Sequence, residues 1–206
     1  MSLLPALYRP LHRALVQGPR AERLASVLAE LAAPADTVLD VGAGDGELGS
    51  MIAARLGARA RGVDVKVPAQ THIDVEPFDG MTIPMADRSI DAVVLSDVLH
   101  HAIEPEQLLR EALRVARACV VVKDHFRYGP LSDKMLVLLD KIGNRPYGVD
   151  VVGRYWSPVE WMRLLEQSGA VIRRIVWPLH VHAAPIRAIT RSELQFAARL
   201  ERRGHS

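Results

Sequence analysis

The chain has 206 residues, 49% of them hydrophobic, and its formal net charge is only +2. This length supports one substantial core, so we expect a single domain over residues 1–206. So small a charge excess gives no reason to expect a nucleic-acid partner. No apolar run reaches the roughly 20 residues of a membrane span. The first residues also lack the pattern of a secretory signal, so we expect a cytoplasmic protein without a membrane partner.

Short strands and amphipathic helices alternate through the first 125 residues. The first helix shows the pattern clearly, because Leu24, Val27, Leu28 and Leu31 follow helical spacing up to Pro34. In chain order the sequence predicts a helix at 20–33, a strand at 37–41, a helix at 48–57, strands at 60–65, 71–75 and 90–96, a helix opening at Glu104-Pro105, and a strand at 119–122. This alternation is typical of an α/β fold whose crossover helices cover both faces of a parallel sheet.

The pattern changes after the fifth strand. A further amphipathic helix is predicted over 131–142, and an irregular stretch follows up to Tyr155, so we expect a lid insertion at about 126–156. Ser157 and Glu160 form a capping box that opens a helix ending near Gly169. Two more strands are predicted at 171–177 and 194–200. The expected architecture is a Rossmann-like, doubly wound sheet of about seven strands, mostly parallel with an antiparallel last strand.

A glycine-rich turn joins the first strand to the next helix. Such a turn lets a ligand approach the backbone closely beside the free N–H groups of a helix start. The residues are Asp40, Gly42, Gly44 and Gly46, which form the pattern D-x-G-x-G-x-G. A dinucleotide fingerprint would need glycine at position 47, where Glu47 stands, so nicotinamide or flavin binding fits less well.

This run, VLDVGAGDGELG, resembles the first motif of the class I S-adenosylmethionine-dependent methyltransferases. The later segment FDGMTIPMADRSIDAVVLSDVLHH is similar to the corresponding stretch of their small "type 11" group. The resemblance covers residues 36–125 and implies S-adenosylmethionine as the cofactor. It places Asp64 on the ribose hydroxyls and Asp79 and Gly80 at the adenine, and it puts Ser96 in the exit loop of the fourth strand.

The residue chemistry agrees with this interpretation. Adenosylmethionine carries an amine, a carboxylate and a sulfonium, so its site needs carboxylates for the amine and ribose and N–H groups for the carboxylate. Asp40, Asp97 or the backbone around Gly42 would hold its aminoacyl end, and the sequence does not choose among them. For Asp64 and Asp79 the alternatives are an exposed strand-end acid and an ordinary turn residue.

Two histidine-containing segments follow the fourth and fifth strands, where ligands bind in open α/β sheets. His100 and His101 come after the fourth strand, and Lys123-Asp124-His125 follows the fifth. His125 beside Asp124 is the first candidate to accept a proton from the methyl acceptor, and His101 is the second. The alternatives are that these histidines pack and shape the pocket, and that methyl transfer proceeds by proximity alone.

These features predict an enzyme that transfers a methyl group to a small organic molecule. Nucleic-acid bases are disfavoured as acceptors, because neither Asn-Pro-Pro-Tyr nor Asp-Pro-Pro-Tyr follows the fourth strand. No metal-ligand spacing is evident, so no metal is expected. Two other functions stay open: a non-catalytic module that binds adenosylmethionine, and, less favoured, a NAD(P)-dependent oxidoreductase.

Overall fold

Strands and helices alternate along the part of the chain that the computed structural model describes, namely residues 18–129, 132, 136, 154–182 and 191–204. The helices are α1 (Gly18–Ala32), α2 (Glu47–Leu56), α3 (Pro105–Val115) and α4 (Pro158–Ser168). The strands are β1 (Thr37–Val41), β2 (Arg59–Asp64), β3 (Asp74–Pro77), β4 (Ile90–Ser96), β5 (Ala116–His125), β6 (Ala170–Val176) and β7 (Gln195–Arg202). Two short 3₁₀ turns cover Leu99–His101 and Ser192–Leu194. None of the described helices is long and apolar enough to cross a membrane.

The strands form one sheet in the order β3-β2-β1-β4-β5-β7-β6. All pairs from β3 to β5 are parallel, whereas β7 is antiparallel to both β5 and β6. The carboxyl ends of β1, β2, β4 and β5 therefore meet at one edge, where α/β sheets bind their ligands. This confirms the predicted doubly wound sheet with an antiparallel last strand.

Two hydrophobic clusters cover the two faces of the sheet. The helices α1 and α2 pack on one face, where Leu24, Leu28 and Ile52 are fully buried. The helices α3 and α4 pack on the other, with Leu109 and Trp161 among the buried side chains. Strands covered on both faces have nearly continuous apolar sequences, which is why β4 and β5 could be recognised in the sequence.

The third and fifth strands differ from their predicted bounds by more than the others do. The third strand runs over Asp74–Pro77 rather than 71–75, because its pairing with β2 begins at Asp74 opposite Arg61, whose guanidinium forms ion pairs with Asp74 and Glu76. The fifth strand extends to His125 instead of ending at 122, because antiparallel pairing with β7 continues up to Gln195. Lys123, Asp124 and His125, which were expected to follow this strand, are its last three residues.

The predicted capping box is confirmed at the start of α4. The backbone N–H of Glu160 donates to Ser157 Oγ at 3.3 Å, and the Ser157 N–H donates to the Glu160 carboxylate at 2.7 Å. The ends of the predicted lid also meet, because the Arg127 N–H donates to the Trp156 carbonyl at 2.9 Å. The helix predicted over 131–142 and most of the lid lie outside the described residues.

Candidate functional site

The glycine loop leaves the carboxyl end of β1 with three left-handed residues. Gly42, Gly44 and Gly46 have φ angles of 72°, 56° and 74°, a region that strains residues with a side chain. A Cβ atom on Gly42 would lie 2.6 Å from Val98, and one on Gly46 would lie 2.5 Å from Ile73. A Cβ on Gly44 would meet no atom of the described residues within 4 Å. Packing thus requires the outer two glycines, whereas the described residues leave the space beside Gly44 empty.

Asp64 ends β2 and fastens the glycine loop. Its Oδ2 accepts the Gly44 backbone N–H at 2.7 Å, and its Oδ1 accepts the Lys66 N–H at 2.9 Å. Each carboxylate oxygen has a second lone pair that can accept a hydroxyl proton. The predicted contact of Asp64 with a ribose therefore fits this geometry.

Asp40 lies beneath the loop rather than at its surface. The residue is 3% exposed, and its carboxylate accepts the backbone N–H of Gly49, which lies in the first turn of α2. Burial raises the pKa of Asp40 to about 7, and the hydrogen bond from Gly49 only partly opposes this shift. Asp40 thus caps the helix that follows the loop, a position from which it supports the site without reaching open solvent.

Asp79 and Gly80 form a turn beside the end of β2. The Asp79 Oδ1 accepts the N–H groups of Met81 and Thr82 at 2.8 and 2.6 Å, and these bonds lower its pKa. Gly80 is left-handed with φ 81°, and a Cβ there would lie 3.2 Å from Val65, the residue after Asp64. The structure therefore brings the two predicted cofactor acids to one region, with Asp79 in the role of a turn residue.

Ser96 ends β4 and Asp97 follows it, on the side of β1 opposite to β2. Asp97 is left-handed with φ 60°, and it lies in an ion-pair network. Lys123 Nζ donates to Asp97 Oδ1 at 2.5 Å, and Arg20 donates to Oδ2 at 3.3 Å. Burial alone would raise the pKa of Asp97, but Lys123, His125 and Arg20 hold it well below its usual range. Lys123 is fully buried and acts as a salt-bridge partner of Asp97.

Asp124 makes a short side-chain contact with His100 and a longer one with the ring of the adjacent His125. The distance from His100 Nδ1 to Asp124 Oδ1 is 2.7 Å, and both side chains are 1% exposed. His125 Nδ1 is 3.7 Å from Asp124 Oδ1 and only 3.4 Å from Asp97 Oδ1. Adjacency in sequence did not indicate His100 as the hydrogen-bond partner of Asp124, because His100 reaches it from the turn after β4.

His101 is placed differently from His125. It lies in the 3₁₀ turn after β4, with its ring 4.0 Å from the ring of His100. The His125 side chain is 19% exposed at the end of β5, and its ring meets that of Tyr155 edge to face at 5.9 Å. Burial and the Lys123 ammonium lower the pKa of His125, although Asp124 and Asp97 oppose the shift.

Four side chains of the site converge on one point. Donor atoms of Asp97, His100, Asp124 and His125 lie within 4.8 Å of one another. Sequence reasoning missed this group, because its members come from two segments more than 20 positions apart. It also missed Arg20, which reaches the site from the first turns of α1. The only available signal was that both segments follow neighbouring parallel strands.

Sequence comparison finds relatives over the central part of the chain. Residues 39–119 match a family described as "Methyltransferase domain". An uncharacterized methyltransferase of Mycobacteroides abscessus is 37% identical over 93 residues, which cover 39% of this chain and 36% of that protein. The match thus spans about a third of the length of this curated relative.

Solved structures share the fold over most of the chain. The complex between the Haloferax volcanii Trm112 methyltransferase activator and a methyltransferase contains a chain that matches with a TM-score of 0.66 at 16% identity, covering 91% of this chain and 93% of that one. A geranyl diphosphate methyltransferase solved with S-adenosylmethionine matches with a TM-score of 0.64 at 16% identity, covering 88% and 85%. At these identities the likeness establishes a common fold.

Proposed function

We propose that this chain, which has the class I S-adenosylmethionine-dependent methyltransferase fold and matches the methyltransferase-domain family over residues 39–119, binds S-adenosylmethionine and methylates a small organic molecule. The observation that carries the proposal is the space that the described residues leave beside Gly44, in the loop after β1, the strand between β2 and β4. A left-handed glycine with nothing opposite it leaves room for a ligand to lie against the backbone.

The cofactor fits the residues around this space. Asp64 would accept the ribose hydroxyls through the free lone pairs of its carboxylate. The turn at Asp79 and Gly80, which adjoins Val65, would border the adenine. Gly42 and Gly46 keep the loop in the shape that leaves Gly44 open, and Asp40 supports it from below through α2.

Burial and ion pairing argue against Asp40 and Asp97 as the residues that hold the aminoacyl end of the cofactor. Asp40 is buried beneath the loop, and Asp97 is already neutralised by Lys123 and Arg20. We therefore assign this end to the backbone around Gly42 and Ser96, with the partly exposed guanidinium of Arg20 as the partner of the carboxylate.

The acceptor would bind beyond the ends of β4 and β5, where His125 is the partly exposed histidine of the described cluster. When bound, S-adenosylmethionine supplies an electrophilic methyl group on its sulfonium. The role of the chain is to hold the acceptor atom in line with that carbon and sulfur. We propose His125 as the residue that meets the reacting group, ahead of His101, whose ring lies against His100.

A small acceptor is supported by the small net charge of the chain, +2, and by a solved structure of the same fold that is named for geranyl diphosphate. Isothermal titration calorimetry with S-adenosylmethionine, S-adenosylhomocysteine and NADH tests the cofactor. We expect micromolar binding of the first two and none of NADH. Binding of NADH alone, or of none of the three, would overturn the proposal.

A further inference from the structure

We propose that Asp97, His100, Asp124 and His125 form a binding site for one divalent transition-metal ion at the carboxyl ends of β4 and β5. Two imidazoles with two carboxylates are a donor set that suits ions of the series from Mn²⁺ to Zn²⁺ better than Mg²⁺ or Ca²⁺, which prefer oxygen ligands alone.

The separations of the donor atoms support this assignment. Ligands of one metal ion at bond lengths of about 2.0–2.2 Å lie roughly 3.0–3.6 Å apart. The separations from His125 Nδ1 to Asp97 Oδ1 and to Asp124 Oδ1 are 3.4 and 3.7 Å. These are long for hydrogen bonds but close to what shared coordination requires. The pair of His100 and Asp124 at 2.7 Å needs to open only slightly.

Buried acceptor atoms provide independent support. Asp124 is fully buried, yet its Oδ2 has no hydrogen-bond partner among the described residues. The buried Nδ1 of His125 likewise makes no hydrogen bond within the described chain. Leaving a buried carboxylate oxygen without a donor is costly, and an ion at the centre of the cluster would remove this cost.

The neighbouring cations limit where the ion can sit. Lys123 donates to one oxygen of the Asp97 carboxylate and Arg20 donates to the other. Each oxygen therefore keeps a lone pair, and Asp97 serves as the outer ligand of the ion. His100, Asp124 and His125 then supply the inner face, a set of two histidines and one carboxylate that leaves coordination positions open. The open side faces His125 and Asp97, the two members of the cluster whose side chains are partly exposed.

This position would let the ion hold an oxygen atom of the methyl acceptor. Such a contact would select acceptors with a hydroxyl, enol or carboxylate group. That last step rests on the proposed function, whereas metal binding does not. In that case His125 would act on the methyl acceptor as a ligand of the ion.

Metal analysis and titration test the site on the full chain. The protein, stripped with a chelator, should bind one Zn²⁺ or Co²⁺ per chain, and the Co²⁺ form should show the visible absorption of a nitrogen-coordinated site. We expect His125→Ala and Asp97→Asn each to weaken binding by roughly 10- to 100-fold. The exposed His180 serves as the matched control, and His180→Ala should bind like the parent.

A melting curve of each metal-free variant verifies folding, and His125→Gln replaces His125→Ala if the latter does not fold. Binding of no ion by the folded protein, or equal binding by the parent and the ligand variants, would overturn the inference. A parallel titration with S-adenosylmethionine keeps the two proposals separate. Cofactor binding without metal binding would overturn only the proposed metal site. Metal binding without cofactor binding would overturn only the proposed methyltransferase function.

Discussion

The backbone N–H of Gly44 donates a 2.7 Å hydrogen bond to Oδ2 of Asp64, so the end of β2 holds the central residue of the glycine loop. One carboxylate thereby fixes the loop and keeps lone pairs for a ligand. Removal of the Asp64 carboxylate should therefore weaken cofactor binding both by loosening the loop and by removing a direct contact.

Asp64→Ala should weaken affinity for S-adenosylmethionine by about 1.5–3 kcal/mol, roughly 10- to 150-fold, the cost of a lost charge-assisted hydrogen bond. Calorimetry measures the change. Asp74→Ala is the control, because Asp74 is a largely exposed acid on β3 whose described ion pair is with Arg61. Unchanged affinity in a well-folded Asp64→Ala protein would remove this residue from the site.

Gly44→Ala should leave the fold intact and abolish cofactor binding. The new methyl group meets no atom of the described residues, so the cost to the apo protein is that of a left-handed alanine, about 1–2 kcal/mol. Gly57→Ala is a matched control, since Gly57 has φ 66°, equally open surroundings and a place at the far end of α2. Both variants should melt slightly below the parent protein, and only Gly44→Ala should lose binding. Equal affinities in both would mean that the cofactor lies elsewhere.

Asp79→Ala should weaken cofactor binding by roughly two- to tenfold, because its carboxylate shapes the turn through two exposed hydrogen bonds from Met81 and Thr82. Asp79→Asn should keep the turn, since the amide oxygen can still accept both N–H groups. Calorimetry on the two variants separates these contributions. A larger loss in Asp79→Asn than in Asp79→Ala would contradict a role through the turn.

Asp40 should make the apo protein less stable at alkaline pH. Its pKa of about 7 in the folded state lies above the ordinary value of 3.8, so the folded state binds the proton more tightly than the unfolded state. Stability from this group is therefore complete below about pH 4 and declines as the pH rises through 7. Asp40→Asn cannot ionise, so its melting temperature relative to the parent should rise between pH 5 and pH 8. A constant difference across this range would show that Asp40 titrates normally.

Local patterns made much of the fold predictable. Three alternate glycines after an apolar strand predict a strand, a tight loop and a helix, and Ser157 with Glu160 predicts the start of α4, because both signals need only neighbouring residues. The extent of β5 was not predictable in this way, since its last residues are in the strand only because β7 pairs with them.

The site was predictable to a smaller degree. The positions of Asp64 and Gly44 follow from the strand–loop–helix pattern. The partner of Asp124 does not, because its shortest side-chain contact is with His100, from another segment, and not with its neighbour His125. His100 approaches Asp124 through the pairing of β4 with β5, a contact between segments far apart in the chain.

The position of β7 has a consequence for synthesis on the ribosome. This strand lies between β5 and β6, so neither of them has its complete set of partners until residues 195–202 have been made. During translation the edge of β5, with its apolar run Cys119–Val122, stays open to other strands. A nascent chain halted before β7 should therefore depend on chaperones, and release of the last strand closes the sheet and completes the pairing that holds His125 in place.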